Sequence, residues 1–170
     1  MLQIEKYELL HKFAGEMNLI VADIELIFNE MLCDYFFGSQ KKREAFTFYL
    51  LTENKLSFFN KVECLKSICW EIKSDIKGEL FEQAIIFASR FKVVQDKFHY
   101  GIKCLDDNSR KLEIKTMHGI DRYEYTEITN EYICDFISKG EKAKHKLMGA
   151  REILNELLNE TVSHTRQKSD

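Results

Sequence analysis

Leu10, Phe13, Met17, Ile20, Ile24, Ile27 and Met31 recur at intervals of three and four residues, the spacing of one stripe along an α-helix. Tyr35, Phe36 and Phe37 broaden that stripe before Gly38, a residue suited to stopping a helix. The pattern predicts a helix over residues 5–36 with a length of about 48 Å. Gly15 lies inside it and weakens it slightly. Residues 39–43 are polar and read as a loop. Phe46, Phe48, Leu50 and Leu51 then predict a short helix, and a third begins near Leu56 with Phe59, Val62, Leu65, Ile68, Cys69 and Ile72 on one side. Ser74 and Asp75 offer cap chemistry for a fourth. That fourth helix covers about residues 78–98, with Phe81, Ala84, Ile85, Ala88, Phe91, Val94 and Phe98 inward.

The period then changes from helical to two. Ile102 and Cys104, then Leu112, Ile114 and Thr116, alternate around Asp106, Asp107, Asn108 and Ser109, the pattern of a β-hairpin closed by an Asx-type turn. Tyr123 and Tyr125 add either a short third strand or a loop. Thr126 or Thr129 caps a final helix, whose stripe runs through Ile133, Phe136, Gly140, Ala143, Leu147, Ala150, Leu154 and Leu157. The tail from residue 163 is polar and expected to fray. The fold class expected is therefore all-α. It is an antiparallel bundle of four to five helices, two of them long, with a β-hairpin inserted at about 101–118 after the fourth helix. Residues 1–162 form one domain in this reading and 163–170 a polar tail. Two long heptad-patterned helices are also what a homodimer paired through them would need, although a buried pair within one chain produces the same pattern.

Composition sharpens this. The chain has 170 residues, 45% hydrophobic and 31% charged, enough apolar material for a sizeable core. It contains no proline, where average usage of about 5% would put about eight; proline breaks helix interiors, so its absence suits a helical chain. The net charge of −3 gives no general pull toward polyanions, so any such binding needs a local patch. Five cysteines (Cys33, Cys64, Cys69, Cys104 and Cys134) show no C-x-x-C spacing, and the five histidines stand apart from them. No metal-ligand pattern follows, and no cofactor is expected. The opening MLQIEKYELLHKF is charged throughout, unlike a signal or transit peptide. No stretch approaches 18 uncharged apolar residues, so no membrane span is expected and the cytoplasm is the implied compartment.

Two regions carry candidate chemistry. Lys139, Lys142, Lys144, Lys146 and Arg151 crowd the last helix around His145. Lys142 and Lys146, with Lys139 less closely, share a face by helical spacing, whereas Lys144 lies away from it. Such a face is either ordinary solvated surface or a site for phosphates. The second region is the end of the fourth helix, SRFKVVQDKFHYGI, which gathers Arg90, Lys92, Gln95, Asp96, Lys97, His99 and Tyr100 before Gly101. Cations there also suit the negative end of the helix dipole, so a purely structural role accounts for the same residues. Tyr123, Tyr125 and Tyr100 offer an aromatic surface for base stacking or, alternatively, strand-pair and core packing. His11, His118, His145 and His164 are isolated on polar stretches and read as ordinary surface residues.

Three stretches together resemble the HEPN superfamily: DIELIFNEMLCDYFFG, LLTENKLSFFNKVECLKSI and QDKFHYG. The first is similar to that family's first helix ending in aromatics and the second to its second and third helices. The third is similar to its R-N-x-x-x-H-G motif. The resemblance implies a small helical bundle, found among metal-independent ribonucleases, RNA-binding modules and toxin or anti-phage components. In that alignment the family's arginine falls on Gln95, its histidine on Tyr100, its intervening polar residue on Asp96, and its glycine on Gly101. Gln95 carries no charge for a phosphate, and a tyrosine at position 100 is a poor base at neutral pH. The implied function is a non-catalytic binding module for RNA, a nucleotide or a protein partner, in a bacterial defence or stress system. The candidate phosphate-binding residues are Arg90, Lys92, Gln95, Asp96, Lys97, Lys142 and Lys146. One alternative is a metal-independent ribonuclease drawing on Lys92, Asp96, His99 and Tyr100, with Lys92 and His99 in a shifted register of the motif. A lysine there would hold phosphate as a point charge and not as a fork. Another is a helical dimerisation or adaptor protein with no nucleic-acid role.

Overall fold

The computed structural model describes residues 3–37, 39–48, 55–71, 76–104, 111–117 and 122–167. Among the described residues it is an all-α protein with five helices and a small antiparallel sheet after the fourth. The helices are α1 (Gln3–Phe36), α2 (Gln40–Phe46), α3 (Phe58–Glu71), α4 (Ile76–Tyr100) and α5 (Asn130–Gln167). The strands are β1 (Ile102–Cys104), β2 (Glu113–Met117) and β3 (Tyr123–Glu127), in the order β1-β2-β3. The chain groups into two compact units, residues 1–22 with 90–142, and residues 23–89 with 143–170; α1, α4 and α5 each contribute to both.

In the first unit, the start of α1, the end of α4 and the start of α5 meet around Phe13, which is 1% exposed. Its ring stands edge-on to Phe98 at 5.3 Å, to Tyr132 at 5.5 Å and to Phe136 at 5.3 Å, the geometry aromatic quadrupoles favour. Burial raises the Tyr132 phenol above its ordinary value. Contacts from Phe13 to Phe98 and from Asn18 to Gln95 run in opposite senses, so α1 and α4 are antiparallel here. Phe13 with Phe136, and Ile20 with Gly140, run in the same sense, so α5 lies parallel to α1. The approach at Gly140 is close, since a Cβ there would lie 2.6 Å from Ile20 Cδ1. Of the two threonines predicted to cap α5, Thr129 does so, accepting a 3.0 Å bond from Tyr132 N; Thr126 lies within β3.

The second unit packs the rest of α1 with α2, α3, the start of α4 and the rest of α5. Phe28, Met31, Leu32, Leu65, Ile85, Leu147 and Leu154 are each 0% exposed. Lys61 is buried among them, its side chain 0% exposed, and pairs with Glu25 at 2.5 Å. Lys144 pairs with Asp23 at 2.9 Å.

Several local boundaries differ from the pattern-based expectation. Residues 40–43, expected as loop, form the first turn of α2, which buries none of its residues and so left no apolar period to read. Phe58 is buried and Phe59 is 47% exposed, the reverse of the predicted facing. The stripe on α1 is wider than predicted, adding Leu9, Val21, Phe28 and Leu32 to the core, because α1 has neighbours on more than one side. β3 is a strand and extends the hairpin to three strands, and α5 continues through Gln167 beyond the predicted fraying point. The predicted helix stop at Gly38, the cap at Ser74 and Asp75, the turn at 106–109 and Leu50 and Leu51 lie outside the described residues. Among the described residues, no helix is long and apolar enough to cross a membrane.

Candidate functional site

The end of α4 carries the motif-like residues, all within the first unit. Lys92 sits one turn before Gln95 and Asp96, and its ammonium reaches both: Nζ donates to Gln95 Oε1 at 2.8 Å and pairs with Asp96 Oδ1 at 2.8 Å. Helical spacing makes these contacts short-range and sterically easy. Gln95 then donates through Nε2 to Asn18 Oδ1 on α1 at 2.8 Å. A residue that sequence reasoning missed, Asn18, thus closes the chain Asp96–Lys92–Gln95–Asn18; it stands 77 residues away from Gln95 in sequence, and no local signal points to it. Lys97 pairs with Glu124 of β3 at 2.9 Å, a second unforeseen partner. Arg90 is exposed. His99 is exposed with its ring edge-on to Phe98 at 5.9 Å, and Tyr100 is 88% exposed at the helix terminus.

Gly101 has a structural reason to be glycine. Its N–H donates to Lys97 O at 2.8 Å, and a Cβ would stand 2.6 Å from both Lys97 O and Ile114 Cγ2. Because one of those atoms is backbone, the neighbour cannot move aside cheaply. Close seating of the sheet against the α4 terminus accounts for this glycine without catalysis.

Beyond Gly101 the sheet has two unlike faces, since alternate residues on a strand point to opposite sides. Ile114 and Thr116 are buried. In the register Lys115 stands opposite Tyr125 and Met117 opposite Tyr123, all on the other face, where Tyr123, Tyr125 and Met117 are 46%, 56% and 69% exposed. The tyrosines are therefore surface residues and not core. Lys115 Nζ lies 3.8 Å from the centroid of Tyr123 and 5.7 Å from that of Tyr125, within cation–π range of both. Lys111 pairs with Glu127 at 2.7 Å at one end of this face.

The remaining cationic candidates lie on α5. Lys142 is an exposed residue of the first unit. Lys146 belongs to the second, where its Nζ lies 4.9 Å from the Phe87 ring centroid. Lys139 is engaged by Asp135 at 2.7 Å.

The second unit has its own ionic cluster. Asp34 accepts from Arg43 Nη1 and from Arg151 Nε, each at 2.6 Å, and Arg151 also reaches Glu30. Burial pushes the Asp34 carboxyl up. The hydrogen bonds from Arg151 and Arg43, with their charges, outweigh it and hold the group below its ordinary value. A depressed folded value means the pairing stabilises the fold above about pH 4 and is lost as pH falls through the folded value. Asp34→Asn is therefore expected to cost about 2 kcal/mol at neutral pH. The deficit in melting temperature against wild type should shrink on acidification below about pH 4. A deficit of the same size across the whole range would show that the charge contributes nothing.

A cleft of about 410 Å³ lies beside this cluster, lined by Leu26, Asn29, Glu30, Cys33, Arg43 and Phe48 among others. Asn29 Oδ1 is buried there with no hydrogen-bond partner among the described residues. With Glu30 and Glu44 in its wall, the cleft does not suit a phosphate. Among the described residues, no group of three or more His, Cys, Asp or Glu is placed to hold a metal ion.

Set against protein-family models, curated proteins and solved structures, the chain matches none of them. The functional reading rests on the residues themselves.

Proposed function

We propose that the protein is a HEPN-like helical module that binds RNA without cleaving it. The supporting observation is the closed chain Asp96–Lys92–Gln95–Asn18. In a metal-independent ribonuclease a cation must meet the phosphate while a base takes the ribose 2′-hydroxyl proton. Gln95 and Tyr100, at the family's two reactive positions, supply neither. Lys92, the nearest substitute cation, already shares its charge with Asp96, which opposes its capture of a phosphate. Polar side chains that satisfy one another at a helix end stabilise that end and leave a surface able to bind but not to react.

The homodimer paired through the long helices is part of the same proposal, and Leu19, 58% exposed on α1, suits a contact of that kind. The setting implied by the resemblance, a cytoplasmic bacterial defence or stress module, belongs with it.

The test is incubation with mixed cellular RNA in the absence of divalent metal, beside a Lys92→Ala, His99→Ala double variant. Neither protein is expected to cleave, and wild type should bind with an affinity that falls as salt rises. Cleavage by wild type that the double variant loses would make the protein a ribonuclease. Absence of both cleavage and binding would leave a protein partner as the occupant.

A further inference from the structure

We propose that the outward face of the β2–β3 ribbon is the RNA contact, and that it takes single-stranded RNA by stacking bases on Tyr123 and Tyr125 beside the Lys115 ammonium. This rests on the RNA-binding reading above and names its surface. The solvated face of an antiparallel sheet is ordinarily polar, yet here three of the four central positions are Met117, Tyr123 and Tyr125, at 69%, 46% and 56% exposure. None serves the core, which the opposite face supplies through Ile114 and Thr116. The same ribbon is braced from behind by Lys97–Glu124 and by the glycine-only contact at Gly101, so the tyrosines are displayed on a held support.

Lys115 Nζ lies over the Tyr123 ring at 3.8 Å and 5.7 Å from the Tyr125 centroid, and Arg122 is exposed immediately before Tyr123. At the other end the Glu127 carboxylate is matched by Lys111. Across the ribbon and its flank the charges balance: Lys111 and Lys115 offset the outward carboxylates Glu113 and Glu127, and exposed Arg122 offsets exposed Glu124. Flat π faces beside the Lys115 ammonium suit a phosphate-linked strand that carries flat bases. Residues two apart on a strand stand about 6.6 Å from each other, enough separation for one base on each ring. A duplex keeps its bases stacked inside and presents no face to such rings, so the surface selects unpaired strands.

The measurement is fluorescence anisotropy of a short labelled single-stranded RNA, and of the same sequence as a duplex, with the full-length protein. Wild type should bind the single strand more tightly than the duplex. Tyr123→Thr with Tyr125→Thr keeps residues that favour strands and removes both rings; it should lose about tenfold or more in affinity. Tyr123→Phe with Tyr125→Phe keeps the rings and should stay within about twofold. Lys115→Glu, a surface change independent of the rings, should also weaken binding by about tenfold, so the inference does not depend on the threonine variant folding. If wild type binds and the threonine and Lys115→Glu variants bind equally well, this face is not the contact and the RNA-binding reading stands. If wild type binds neither RNA, both fail together.

Discussion

Phe13→Ala is expected to lower stability by about 3–5 kcal/mol, measured by chemical denaturation against wild type. The side chain is 1% exposed and stands edge-on to Phe98, Tyr132 and Phe136. Truncation removes the transfer free energy of a buried ring and leaves a void. It also abolishes three aromatic contacts worth about 0.5–1.5 kcal/mol each beyond area, which do not simply add. Phe13→Leu keeps most of the volume and should cost clearly less. The effect reaches the proposed RNA contact, because Phe98 lies in the same α4 turn as Gln95 and His99, and its loosening frees the helix end on which the sheet is seated. A loss under about 1 kcal/mol for the alanine variant would mean the cluster is not the organising core of this unit.

The second large effect is an asymmetry within one ion pair. Lys61 has a side chain 0% exposed, whereas that of its partner Glu25 is 31% exposed. Glu25→Ala strands an ammonium away from water, and removing one partner of a buried pair costs about 3–5 kcal/mol. Lys61→Met leaves Glu25 able to turn toward solvent and fills the buried site with an unbranched apolar chain, so its cost should be much smaller. The double variant Glu25→Ala, Lys61→Met should recover most of the loss. Thermal and denaturant unfolding of the three variants reads this directly. Equal costs for the two single changes would mean that the pair is hydrated and that burial of Lys61 has no energetic weight.

The stripe through Phe13, Met17, Ile20, Ile24 and Met31 was legible because one helix face repeats every three or four residues whatever lies against it. These five are buried, whereas Leu10 and Ile27 of the same predicted stripe are only part-buried. The α5 stripe from Ile133 to Leu154 was legible for the same reason, as was the switch to period two at β2. Where no apolar period exists, as in α2, the boundary was not readable: its helix is set by local backbone bonds and by Arg43 reaching Asp34. Phe58 and Phe59 are equally apolar neighbours, and only packing of Phe58 against Phe28, 5.4 Å between ring centroids, decides which turns inward. Lys61 shows the opposite limit, since composition and pattern alike place a lysine on the surface, and only Glu25, 36 residues away, makes its burial tolerable.

The site divides in the same way. The sequence by itself determined that Gln95 and Tyr100 stand where the resemblance would place an arginine and a histidine, and that Lys92, Gln95, Asp96 and His99 fall on roughly one helix side, because both follow from residue identity and a fixed helical period. Tertiary structure alone decided that Asn18 closes the chain through Gln95, that Glu124 takes Lys97, and that Tyr123 and Tyr125 face outward with the Lys115 ammonium over the Tyr123 ring. Those depend on strand register and on contacts across long stretches of chain, which local periodicity does not encode.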